Sequence, residues 1–260
     1  MDFPFDDADI PAHWWDGDRM LTRNADALHM LFPAGERFFM RSVRAFVPQI
    51  KDPELLARVR GFMGQEAMHG REHNRAFSLL ERDGIEYESF LDAYENRWLK
   101  RLEKRADPLT NLAVTCALEH LTATLGATSF ADPLIDRAHP TMRDLMLWHA
   151  AEEVEHKSVA FDVYEAVGGG WLRRVVAMVM AFSLLMVWWR RGMKHLIEQD
   201  GGMSWADQRG LRKKVQTEGR DVLSDFRRAA VVYLRPGFHP DDIDDAHLAR
   251  DYFAAREIAA

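Results

Sequence analysis

Apolar residues recur at helical spacing along most of the chain, while paired alternating runs around Asn-Gly or Asp-Gly, the mark of β-hairpins, are scarce. The pattern predicts an all-α fold. A first helix opens at Pro33, whose fixed φ suits a first helical position, and runs through Phe46 toward Pro48. Asp52-Pro53 is a cap and first-turn signal, which opens a second helix from Pro53 to about Leu80, stopped near Asp83-Gly84. A shorter helix covers Glu88 to Arg105. Asp107-Pro108 repeats the start signal for an apolar helix reaching Phe130, and His139-Pro140 opens another through Trp148 and Tyr164 to the glycines at 168–170. Four of these helices are long.

The run from Val175 to Trp189 is apolar except for Ser183 and is flanked by Arg173, Arg174, Arg190 and Arg191. At 1.5 Å per residue it spans about 22 Å, short of the ~30 Å of a bilayer's hydrocarbon core. It suits a buried helix covering the bundle, a membrane-surface helix with tryptophan and arginine anchors, or a homodimer interface. From Asp200 the chain turns polar, with a helical run from Trp205 to Gln216, the irregular stretch LRPGFHPDD and a last short helix. The expected organisation is an N-terminal extension (1–20), a helical bundle (21–168) and a C-terminal helical extension packed on it (169–260).

With 47% hydrophobic and 29% charged residues, the chain has the composition of a globular protein. A net charge of -7 excludes nucleic acid as the main partner, because phosphate binding needs a clustered positive field. The single cysteine, Cys116, rules out an intrachain disulfide and a cysteine-based zinc site. The acidic N-terminal stretch lacks the basic start and apolar run of a secretory signal, so a cytoplasmic location is expected, peripheral on the inner face of the membrane if residues 175–189 touch lipid.

Chemistry concentrates on the four long helices. Glu66 and His69, and again Glu153 and His156, stand at i, i+3, which puts each pair on one helical face. Glu36 precedes the first pair. Glu119, in an otherwise apolar helix without another acidic residue, precedes the second. One Glu from each of two helices and a Glu-x-x-His from each of two others is the ligand set of a dinuclear carboxylate site. Four carboxylates balance two divalent ions inside a low-dielectric bundle, and imidazoles complete the shells while leaving positions open. His73 lies four residues after His69, and His149 four before Glu153, each within about one sixth of a turn of its pair, so either reaches the metals. By the same angle Glu152 and Glu155 point away and are left out. His120 is expected in a supporting or structural role, and Asp136 and His139 as caps at a helix junction.

The segments FPAGERFF, GQEAMHGREHNRAF, ALEHLTA and HAAEEVEHKSVAFDVY resemble the bacterial family of predicted metal-dependent hydrolases, among ferritin-like proteins, over roughly residues 20 to 240. The resemblance implies a ferritin-like four-helix bundle with additional C-terminal helices. His149-x-x-x-Glu153-x-x-His156 is also similar, in spacing only, to the third-histidine site of di-iron arylamine N-oxygenases. The leading expectation is a di-iron oxidase or oxygenase that oxidises an organic, apolar substrate. It would use two iron ions, or manganese or a mixed pair, and electrons from an external donor, since no flavin or nicotinamide fingerprint is present. The alternatives are a dinuclear metal-dependent hydrolase, and a metal-binding or iron-storage bundle without turnover.

Overall fold

The computed structural model describes residues 3–6 and 9–257. Its helices are α1 (Arg19–His29), α2 (Phe32–Arg44), α3 (Pro53–Ala76), α4 (Ser78–Arg82), α5 (Glu88–Leu91), α6 (Lys100–Arg105), α7 (Pro108–Phe130), α8 (Pro140–His156), α9 (Val159–Ala166), α10 (Trp171–Gln199), α11 (Trp205–Glu218), α12 (Val222–Tyr233) and α13 (Ala246–Glu257). A π-helical stretch, Asp92–Leu99, makes α5 and α6 continuous. The fold is all-α: among the described residues no β-strand forms, and one isolated bridge joins Trp15 and Ala138.

α2 packs on α3 and α7, α7 on α8, and α8 on α3, which closes a ring of four helices. Three of the four begin where the proline signals say. Asp52 accepts from Glu54 N at 2.9 Å and Asp107 from Thr110 N at 3.0 Å, each satisfying an orphan donor of the first turn. His139 caps α8 in the same way, accepting from Thr141 N. Gly126 sets the spacing of α7 and α8: a Cβ there would lie 2.7 Å from the Ala150 carbonyl oxygen, so only glycine admits this approach.

Several elements differ from the sequence reading. α1 is not predicted, because its buried positions mix Arg23, Asp26 and His29 with apolar residues such as Met20, Ala27 and Leu28. Arg23 is satisfied by Asp26 at 2.9 Å and Asp200 at 2.8 Å. α12 is hidden in the polar C-terminal stretch, although Asp221 caps it through Ser224 N. The expected continuous helix from Pro140 to the glycines at 168–170 breaks between α8 and α9 at Lys157, whose buried ammonium donates to the Ile243 carbonyl at 2.7 Å and pairs with Asp245.

α10 corrects the reading of the apolar run. The helix is 29 residues long, about 43 Å, so among the described residues it is the one helix long and apolar enough to cross a membrane. Ala177, Ala181, Leu184 and Trp188 are buried on the side facing α1 and α7. Leu172, Val176, Val179 and Val187 form an exposed stripe on the opposite side, and only 33% of the most apolar window is buried. At the other end of the chain Phe3, Phe5, Ile10 and Trp14 are buried, and Phe3 stands 5.5 Å from the ring of Trp148 on α8.

Candidate metal centre

The ring of four helices directs eight side chains at one another: Glu36 from α2, Glu66, His69 and His73 from α3, Glu119 from α7, and His149, Glu153 and His156 from α8. None is more than 5% exposed. Their ligand atoms fall into four overlapping groups, Glu36–Glu66–His69, Glu66–Glu119–His156, His69–His149–Glu153 and Glu36–His73–His149, each with its atoms within 4.8 Å of one another. Glu66 belongs to two groups that otherwise share no residue. Gly70 makes room for the approach of α2, since a Cβ there would lie 3.0 Å from Glu36 Oε2.

The two Glu-x-x-His histidines are held in matching ways, each by the opposite helix. His69 Nε2 faces Glu152 Oε2 at 3.0 Å, and Glu152 Oε1 accepts from Trp148 Nε1 at 2.7 Å, which leaves Nδ1 3.6 Å from Glu153 Oε1. His156 Nδ1 faces Gln65 Oε1 at 3.0 Å, and Gln65 Nε2 donates to Glu155 Oε2 at 2.7 Å. His156 Nε2 is then left 3.1 Å from Glu66, 3.4 Å from Glu119 and 3.6 Å from Glu153. A ligating histidine typically has its outer nitrogen hydrogen-bonded in this fashion. Glu152 and Glu155, set aside by their angle on α8, thus act across the helix interface. The periodicity of one helix cannot see its neighbour. Gln65, Trp148 and Glu152 are the site residues that the sequence reading misses.

His149 Nε2 lies 3.0 Å from Glu153 Oε1 and 3.9 Å from Glu36 Oε1, and its Nδ1 is 2.7 Å from His73 Nε2. His73 therefore contacts His149 directly. His120 turns away, with Nε2 3.0 Å from the Ala229 carbonyl, and Asp136 sits in the 3₁₀ turn Ile135–Arg137.

Both carboxylate oxygens of Glu36, Glu66 and Glu119, and one of Glu153, are buried without a hydrogen-bond partner. Among the described residues the ion pairs of these four carboxylates are with histidines alone. Burial, then the charges of Glu66 and Glu153, push Glu36 well above the usual carboxylate range, and burial followed by Glu66 does the same to Glu119. Burial also raises Glu66, against the pull of the His156 imidazole 3.1 Å away. Glu153 goes the other way: burial opposes its charge, but His149 and His156 hold it well below the ordinary value. Burial, and then the His149 charge, drive His69 and His73 down. His156 is raised despite burial by Glu119, Glu153 and Glu66. A buried cluster of carboxylates with orphaned oxygens and inward imidazole nitrogens is a donor set that calls for multivalent cations.

The sequence pattern of a family described as predicted metal-dependent hydrolase matches residues 1–244. The chain belongs to that family. No curated protein and no solved structure matches it. The family description agrees with the donor set: the chain gathers metal-ligating residue types into one buried cluster. It supports the hydrolase alternative of the sequence reading better than the oxidase. A cavity of about 100 Å³ adjoins the cluster, lined there by Phe32, His73, His149 and Glu153 and also by Leu125 and Trp189.

Proposed function

We propose that the chain is a metal-dependent enzyme whose centre holds two ions between α2, α3, α7 and α8 in a ferritin-like arrangement. The observation that carries this reading is the set of four facing carboxylates with orphaned oxygens. Glu36, Glu66 and His69, assisted by His149, would hold one ion; Glu66, Glu119 and His156 the other; Glu153 faces both histidine sets. This is the one-Glu, Glu-x-x-His, one-Glu, Glu-x-x-His set of dinuclear carboxylate bundles.

Family membership supports hydrolysis as the reaction. Bound divalent ions would supply Lewis acidity and an activated water at neutral pH. The chain's own groups do the rest. Gln65 and Glu152 fix the histidine rings, and Glu153, held as a carboxylate between His149 and His156, presents negative charge at the cavity wall. Phe32, Leu125 and Trp189 give the cavity an apolar side.

A second reading, the oxidase, is favoured by a different observation: every carboxylate and imidazole comes from a helix and is buried, whereas hydrolytic centres need water to reach them. Metal identity and oxygen response separate the two. The chain is loaded with iron, zinc or manganese, reduced without air and exposed to oxygen while optical spectra are recorded. Hydrolysis predicts ester or phosphoester turnover with zinc or manganese and no oxygen-dependent absorption. A transient oxygen-dependent band with iron, and no turnover with zinc, would overturn hydrolysis in favour of oxidation.

A further inference from the structure

The cavity beside the cluster does not end in the core. Trp189 and Asn24, which line it, also line a groove of about 310 Å³ on the outside, between α10 and α12. Trp189 is the partition between the two, its indole Nε1 donating to the Asn24 carbonyl at 3.0 Å. The groove's floor is apolar, built by Phe182, Met186 and Leu223, and its two charged residues are both arginines, Arg190 and Arg227. Both are exposed, and among the described residues neither has an ion-pair partner; the adjacent Arg228, by contrast, is paired with Asp225 at 3.2 Å.

Two guanidinium groups beside one apolar trough, in a chain of net charge -7, make a local cationic rim. The pairing of an apolar floor with an unpaired cationic rim is complementary to one chemical class. We propose that the groove seats a single-chain amphiphile with an anionic head, whose head is held by Arg190 and Arg227 and whose apolar chain passes Trp189 toward His149 and Glu153. Binding at this groove goes beyond the reaction proposed for the metal centre and does not rest on it, since an alkyl tail offers no bond to hydrolyse. Guanidinium groups bind carboxylate and phosphate heads through charge-assisted, bidentate hydrogen bonds. The apolar chain contributes by leaving water.

The test uses the full chain and two probes with the same tail, dodecanoate and dodecyltrimethylammonium, below their micelle-forming concentrations, with binding read by calorimetry and tryptophan fluorescence. Dodecanoate is expected to bind saturably, one per chain, at least tenfold more tightly than the cationic amphiphile. The exposed double substitution Arg190→Glu with Arg227→Glu should weaken dodecanoate at least tenfold while leaving metal content at the wild-type level. Trp189→Phe, which keeps an aromatic ring and removes the indole donor, should change dodecanoate affinity as read by calorimetry. Equal affinity for the two amphiphiles, no effect of the double charge reversal, or binding to phosphatidylglycerol vesicles without saturable dodecanoate binding would each overturn the proposal. Failure of the metal reading is seen separately, as unchanged metal content in Glu66→Ala with dodecanoate binding intact.

Discussion

Glu152 holds His69 from the opposite helix, its Oε2 3.0 Å from Nε2, while its Oε1 accepts a hydrogen bond from the Trp148 indole N–H. Such a partner orients a metal-binding imidazole and raises its basicity, and its loss typically lowers metal affinity about 10–100-fold. Glu152→Ala is therefore expected to weaken binding by that order without lowering the stoichiometry at saturating metal. Competition against a graded series of chelators measures it. An affinity equal to wild type would show that His69 does not need this support.

Removing a charge from the cluster should stabilise the metal-free protein. Glu119 is held well above its ordinary range by burial and then Glu66, so its folded pKa is raised. The linked stability is present at low pH and lost as pH rises through the folded value. Glu119→Gln keeps the shape and removes the charge. Its metal-free form should melt several degrees above metal-free wild type at neutral pH, by about 1–3 kcal/mol, while binding less metal. Scanning calorimetry with and without chelator tests both halves.

Two glycines should respond differently to alanine. At Gly126 the new Cβ meets the Ala150 backbone at 2.7 Å, and a helix must move, at a cost of about 1–3 kcal/mol. At Gly70 it meets Glu36 Oε2 at 3.0 Å, the free end of a side chain, which can swing aside. Gly126→Ala should lower the urea midpoint; Gly70→Ala should lower metal content with a smaller change in midpoint.

Asp26 gives a pH-dependent test away from the cluster. Burial, opposed by Arg23 and Trp14, raises its pKa from 3.8 to about 6. Its linked stability is fully present below about pH 4 and lost as pH rises through 6. Comparing Asp26→Asn with wild type cancels the constant loss of the Arg23 contact. The difference should shift toward the variant by about 2 kcal/mol between pH 4 and pH 7, as read from urea unfolding at each pH.

The proline-marked starts of α3, α7 and α8 and the eight clustered residues were legible because they are local: caps act within one turn, and ligand spacing repeats along one helix. α1 was hidden by Arg23, Asp26 and His29, polar residues buried by partners, such as Asp200, far away in sequence. Gln65 and Glu152 escaped for the same reason. Each lies one residue before a candidate ligand and serves a histidine on the facing helix, a relation that exists only once α3 and α8 are packed. The full length of α10 was missed because it continues past its apolar run into Arg190, Arg191 and Lys194, which end the hydropathy signal but not the helix.

The most direct test of the central claim is metal content by elemental analysis of wild type and Glu66→Ala, purified from cells supplied with iron, zinc and manganese. The account predicts about two ions per wild-type chain and a loss of at least one in Glu66→Ala, because Glu66 belongs to both the Glu36–His69 and the Glu119–His156 groups. Wild-type protein free of metal, or equal metal in the two proteins, would contradict it.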